Sequence, residues 1–323
     1  MGGSFKGYLR ALSFAHHSNI AIGRAAQGLS IKNWAGLPYG GGRNSCLKGP
    51  YTVRYIRPEV PPLAYEELTR FAEQLASEAR AMLLAGQDAR TSAVLKPDRT
   101  FVTDLDAAIE ARLRSLITQV YPHHGIVGEE EAYRDTDAEW VWILDPIDGT
   151  APFIAGVPVY GTLIALAHRG VPVIGIMDLP VTAERWIGVA GHITTHNGRP
   201  VATRPCADLS TAILTASNPD FFTPHEMPAL EALKAQTAWR IYGGCCMAYG
   251  LLANGRTDIA IDTRLKIYDY APFKPIIEGA GGVITDWSGR SIDLHSGPRI
   301  LAAGDPARHR EALAIIAASG VGV

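Results

Sequence analysis

The stretch that most constrains this chain is residues 140–150. There Trp140-Val141-Trp142-Ile143-Leu144 runs straight into Asp145-Pro146-Ile147-Asp148-Gly149-Thr150. An unbroken apolar run of this type reads as a strand buried on both faces. It delivers two carboxylates to its C-terminal edge, where open α/β sheets place their sites. Two further stretches, Gly128-Glu129-Glu130 and Tyr268-Asp269, also set acids beside apolar runs. Oxygen donors gathered this densely suit a hard divalent cation such as Mg²⁺.

Organisation follows from patterning. Residues 1–58 hold eight of the 30 Lys and Arg and none of the 32 Asp and Glu, so the rest carries 22 basic against 32 acidic groups, a balance of −10. An acidic body argues against a nucleic-acid face. No apolar run reaches the length of about 18 residues that spans a bilayer. Residues 1–62 read as an atypical basic extension, expected to be disordered. A transit segment or a start assigned too far upstream would share its composition. Pro58, Pro61 and Pro62 mark the boundary.

Residues 63–323 read as the folded domain, with two α/β subdomains at about 63–200 and 201–323. Leu68, Phe71, Leu75, Ala79 and Met82 space as an amphipathic helix ending near Gly86. Leu105, Ile109, Leu113, Leu116 and Val120 do the same for a second helix. Val94-Leu95 and Thr100-Phe101-Val102 flank a turn. Residues 159–190 read as a β-meander, and 226–236 and 245–254 as helices. Strands with interspersed helices imply a layered α/β sandwich. Cys46, Cys206, Cys245 and Cys246 show no zinc spacing and read as reduced thiols of a cytoplasmic protein.

Glu129, Asp145, Asp148 and Asp269 are the metal-ligand candidates, and the Ile147 carbonyl can add an oxygen. Unpaired, so many carboxylates would raise one another's pKa values, whereas cations stabilise their ionised forms. The bland alternative is a capping cluster, with Asp148 as a helix N-cap. Gly149 and Thr150 open a helix whose backbone N–H groups suit phosphate oxygens, and the Thr150 hydroxyl can orient an attacking water.

With these motifs in view, the chain resembles the inositol-monophosphatase superfamily of Mg²⁺-dependent phosphatases. The resemblance rests on Gly128-Glu129-Glu130, on residues 142–150, and on Asp269 followed by Glu278-Gly279-Ala280-Gly281-Gly282, and covers about residues 64–318. It implies an αβαβα sandwich binding two to three Mg²⁺ through Glu129, Asp145, Ile147, Asp148 and Asp269. It also implies Asp106 as partner to Thr150 in activating water, with Glu130 among the catalytic acids. Residues 161–166, 184–186, 197–200 and 265–269 are most similar to the histidinol-phosphatase subgroup. That subgroup carries Gly-Gly-Asp-Cys where this chain has Gly243-Gly244-Cys245-Cys246, and a glutamate where this chain has Asp262. Cys245, Asp262 and Arg240 are therefore the substrate-side candidates, although Asp262 also reads as a strand-end acid and Arg240 as a structural ion pair.

The expected activity is hydrolysis of a small phosphorylated alcohol, L-histidinol phosphate first and inositol 1-phosphate as the alternative. A catalytically silent metal-dependent binding protein is the reading from another class. The expected partner is a small phosphorylated metabolite, with no nucleic acid and no membrane, and a homodimer is the expected assembly if there is one.

Overall fold

A computed structural model describes residues 62–87, 93–95 and 101–321. The basic extension lies outside the described residues apart from Pro62. Helices α1 (Pro62–Ala85) and α2 (Asp104–Val120) flank a two-stranded ribbon of β1 (Val94–Leu95) and β2 (Phe101–Val102). Strands β3 (Gly125–Gly128), β4 (Trp140–Asp148), β5 (Gly161–His168), β6 (Val171–Leu179), β7 (Glu184–Val189), β8 (Thr195–His196) and β9 (Arg199–Pro200) form one seven-stranded sheet in sequence order. Helix α3 (Thr150–Ala155) connects β4 to β5. Only β3 and β4 pair in parallel, and the rest is an antiparallel meander.

The second half adds β10 (Ile213–Ala216), α4 (Met227–Gln236), β11 (Trp239–Tyr242), α5 (Cys245–Ala253), β12 (Ile259–Asp262), α6 (Ile267–Tyr270) and α7 (Phe273–Gly279). It ends with β13 (Val283–Asp286), β14 (Ile300–Ala303) and α8 (Pro306–Ala318). Its five strands order as β11-β10-β12-β14-β13.

Three apolar layers hold the elements together. Leu75, Ala79, Ile109 and Leu113 of α1 and α2 pack on Trp142, Leu144, Ile164 and Ile176. The opposite face of the seven-stranded sheet offers Ile143, Leu163, Met177 and Trp186 to Tyr249 of α5 and Phe273 and Ile276 of α7. The same layer takes in Ala260, Ile284 and Ala302 of the five-stranded sheet. That sheet's other face, with Leu214, Ile261 and Leu301, closes on Leu230, Leu233, Ala312 and Ile316 of α4 and α8. The stacking is helix, sheet, helix, sheet, helix, the αβαβα sandwich the resemblance implied. The amphipathic spacing of α1 and α2 holds in space, except that Val120 is exposed. Among the described residues no helix is long and apolar enough to cross a membrane.

Candidate active site

Strand β4 carries three of the candidate residues, and a fault in its pairing aims them. Asp145 pairs with Leu163, but Asp148 pairs with Gly161, so three steps on β4 match two on β5. In a regular strand residues three apart face opposite sides. The extra residue at this bulge turns Asp148 back toward the side of Asp145. The two aspartates therefore converge from within one strand.

Asp269, on the short helix α6, completes the cluster. One carboxylate oxygen from each of Asp145, Asp148 and Asp269 lies within 4.8 Å of the others. Asp145 is 1% exposed, and its Oδ1 has no hydrogen-bond partner. Asp148 Oδ2 accepts the Cys246 N–H at 2.7 Å, and Asp269 Oδ2 accepts the Lys266 N–H at 2.6 Å. Burial pushes the Asp145 carboxyl well up, and Glu129, Asp148, Asp269 and Asp106 push it further. Burial also raises Asp148 and Asp269. Three hard oxygen donors with one buried oxygen left unsatisfied fit a divalent cation, which would remove both the repulsion and the orphaned acceptor.

The remaining candidates surround this trio. Glu129 follows β3 and lies outside the tight group of three, acting on Asp145 through charge. The Ile147 carbonyl accepts the Thr150 hydroxyl at 3.2 Å. Gly149 precedes α3 with φ +82, and a Cβ there would sit 3.0 Å from Cys245 Sγ. Glycine is thus required twice, by the left-handed turn and by the approach of α5. Asp106 is fully buried near the start of α2, where Oδ2 accepts the Thr103 N–H and hydroxyl at 2.8 and 2.5 Å. Glu130 is half-buried on the turn after β3.

On the substrate side, Cys245 opens α5 in a left-handed conformation, φ +45. Burial raises its thiol pKa, with Asp148, Asp262 and Asp145 adding to the effect, so the sulfur stands among the acids. Asp262 ends β12 at 1% exposure and accepts the Ser217 N–H at 2.6 Å and the Tyr249 hydroxyl at 2.9 Å. Its carboxyl is raised to about 6, chiefly by burial. Arg240 lies on the edge strand β11, where its guanidinium donates to the Lys234 carbonyl.

Sequence reasoning missed Glu110. It is fully buried on α2, and its carboxylate accepts the Glu130 N–H at 2.7 Å and the Glu131 N–H at 3.0 Å. The available signal was its position four residues after Asp106, on the same helix face. Tyr249 was missed too, being hidden in an apolar helix.

Comparisons with known proteins identify the family and the fold. The inositol monophosphatase family model matches residues 64–320. The chain is 42% identical over 227 residues to the bifunctional phosphatase IMPL2, chloroplastic, of Arabidopsis thaliana, covering 68% of this chain and 66% of that protein. It is 34% identical over 209 residues to a histidinol-phosphatase of Mycobacterium tuberculosis, covering 63% of this chain and 78% of the relative. A solved inositol monophosphatase from Zymomonas mobilis superposes with a TM-score of 0.71 at 36% identity, covering 79% of this chain and 99% of that one.

Proposed function

The chain belongs to the inositol monophosphatase family of phosphomonoester hydrolases, and on that premise we propose that it is a Mg²⁺-dependent phosphatase of L-histidinol phosphate. The observation that carries the chemistry is the Asp145–Asp148–Asp269 trio, gathered around buried Asp145 with its orphaned oxygen. Asp145, Asp148 and Asp269, with Glu129 and the Ile147 carbonyl, would hold two to three Mg²⁺. Bound there, the ions supply charge neutralisation and Lewis-acid polarisation of the phosphoryl group. Thr150 orients the attacking water, and the Asp106 and Glu130 carboxylates serve as general bases in its activation. Gly149 and Thr150 meet phosphate oxygens with their backbone N–H groups. Most of the rate enhancement of phosphoryl transfer comes from such positioning and charge stabilisation.

The choice of leaving alcohol is supported by the subgroup strings at residues 161–166, 184–186, 197–200 and 265–269, and by likeness to a protein named histidinol-phosphatase. Asp262, Cys245 and Arg240 form the substrate side. Both Asp262 oxygens already accept protein donors. A substrate ammonium would therefore feel its charge from beyond Cys245. Cys245 standing where the subgroup has aspartate favours the second reading, a neutral polyol phosphate such as inositol 1-phosphate. The cytoplasm is our proposed compartment, and a homodimer the proposed assembly.

Phosphate release from L-histidinol phosphate and inositol 1-phosphate with saturating Mg²⁺ separates the two. The expected result is a kcat/KM at least about tenfold higher for L-histidinol phosphate. A preference for inositol phosphate replaces the first reading with the second, and no hydrolysis of either substrate defeats both.

A further inference from the structure

Glu110 stands out because a fully buried carboxylate does no capping, binds no trio member in the active site, and yet is saturated with donors. Its Oε2 accepts the Glu130 N–H at 2.7 Å. Its Oε1 accepts the Glu131 N–H at 3.0 Å and the Arg114 Nε at 2.7 Å. Arg114, one turn further along α2, also donates to the Glu131 carbonyl at 3.1 Å. Both sides of the turn after β3 are thus gripped from one helix. Gly128 completes the arrangement, because a Cβ there would lie 2.0 Å from Glu110 Oε1. The glycine before Glu129 exists in this site to admit the Glu110 carboxylate, since no side chain can share that space.

Burying a carboxylate is costly unless its oxygens are satisfied. Here three N–H donors satisfy it, two of them the backbone N–H groups of Glu130 and Glu131, next along the chain from Glu129. We propose that Glu110 is a positioning residue that fixes the turn 129–131 so that Glu129 is aimed at the metal cluster. The proposal rests on the metal-dependent reading above. A group that orients a ligand from behind typically governs metal affinity by about 10–100-fold.

Glu110→Gln keeps the shape but replaces one acceptor oxygen with an N–H₂ group. If the remaining oxygen serves Arg114 and Glu131, the amide faces the Glu130 N–H, donor against donor. The variant should bind Mn²⁺, used as the probe in calorimetry, at least about tenfold more weakly. The Mg²⁺ concentration giving half-maximal turnover should rise in parallel, while KM for the phosphate ester at saturating Mg²⁺ changes less than about threefold. Gly128→Ala attacks the same contact from the other side and should reproduce the metal defect. In the double variant Glu110→Ala, Gly128→Ala, the methyl enters space already vacated, so its defect should match that of Glu110→Ala alone and not add to it.

Unchanged Mn²⁺ affinity in Glu110→Gln overturns the proposal, as do additive defects in the double variant. A lowered melting temperature with unchanged metal affinity shows a purely structural role and also overturns it. If the wild-type protein itself binds no Mn²⁺, the metal reading has failed first and the proposal falls with it.

Discussion

At the scale of single residues, the site is a store of electrostatic strain that either protonation or a bound cation relieves. Asp145, Asp148 and Asp269 have carboxyls raised above their ordinary values in the absence of metal, burial being the largest cause for each. An acid whose folded pKa lies above its unfolded pKa stabilises the fold below the unfolded value, and that stability is lost as pH rises through the folded one. Half-buried His124 and buried His309, both held near 4, pull the other way up to about pH 6.5. Above that pH, metal-free protein should melt lower as pH rises. Saturating Mg²⁺ should flatten that slope, because it binds the ionised acids of the native state. Asp145→Asn should shrink the slope and lower turnover at least about a hundredfold while the protein stays folded. Thermal melts across pH with and without Mg²⁺, alongside phosphate release, check both halves. Near wild-type turnover for Asp145→Asn would remove that residue from the site. The acids themselves were readable from the chain because apolar runs lead into them. Glu110 was not, since a glutamate in an amphipathic helix carries the same local signal as one on a solvated face. His124 carries as little local signal. Its exposed neighbour His123 suits a surface turn, but His124 stacks on Tyr121 and Trp140 and accepts the Trp142 indole N–H at 3.1 Å.

Elements show the same division. Strand β4 was visible because it is long and apolar, and α1 and α2 because their buried positions recur every three or four residues. The bulge was invisible, because register belongs to a pair of strands and not to one sequence. Strand β11 was missed for another reason: it is a four-residue edge strand, and Trp239, Ile241 and Tyr242 on it are exposed. The join between β10, β12 and α5 depends on a side chain. Asp262 links the Ser217 backbone to the Tyr249 hydroxyl from the end of β12. Asp262→Asn should cost about 1–3 kcal/mol, since a buried amide cannot reproduce both acceptors. It should also raise KM for L-histidinol phosphate more than for inositol 1-phosphate, because a nearby negative charge is gone. Cys245→Asp should shift kcat/KM toward the cationic substrate. Denaturant melts and the two-substrate assay test these outcomes, and an unaltered ratio in both variants would separate Asp262 and Cys245 from recognition.

At the scale of the whole molecule, the three apolar layers draw, among the described residues, on 65–321. Deleting residues 1–60 should leave turnover unchanged and the melting temperature within about 2 °C, since a nearly acid-free stretch without sustained apolar periodicity offers little to bury. A drop of several degrees would show that the extension packs on the body. The two sheets are each assembled from one half of the chain, the first complete by Pro200 and the second begun at Ile213. The carboxylate trio respects no such division, because Asp145 and Asp148 come from the first half and Asp269 from the second. A nascent chain can therefore finish its first sheet on the ribosome with two of the three acids displayed and no site to show for it. On the metal-dependent reading, capture by all three acids must wait until residue 269 has left the exit tunnel, so a product cut short before that point would carry only two of them.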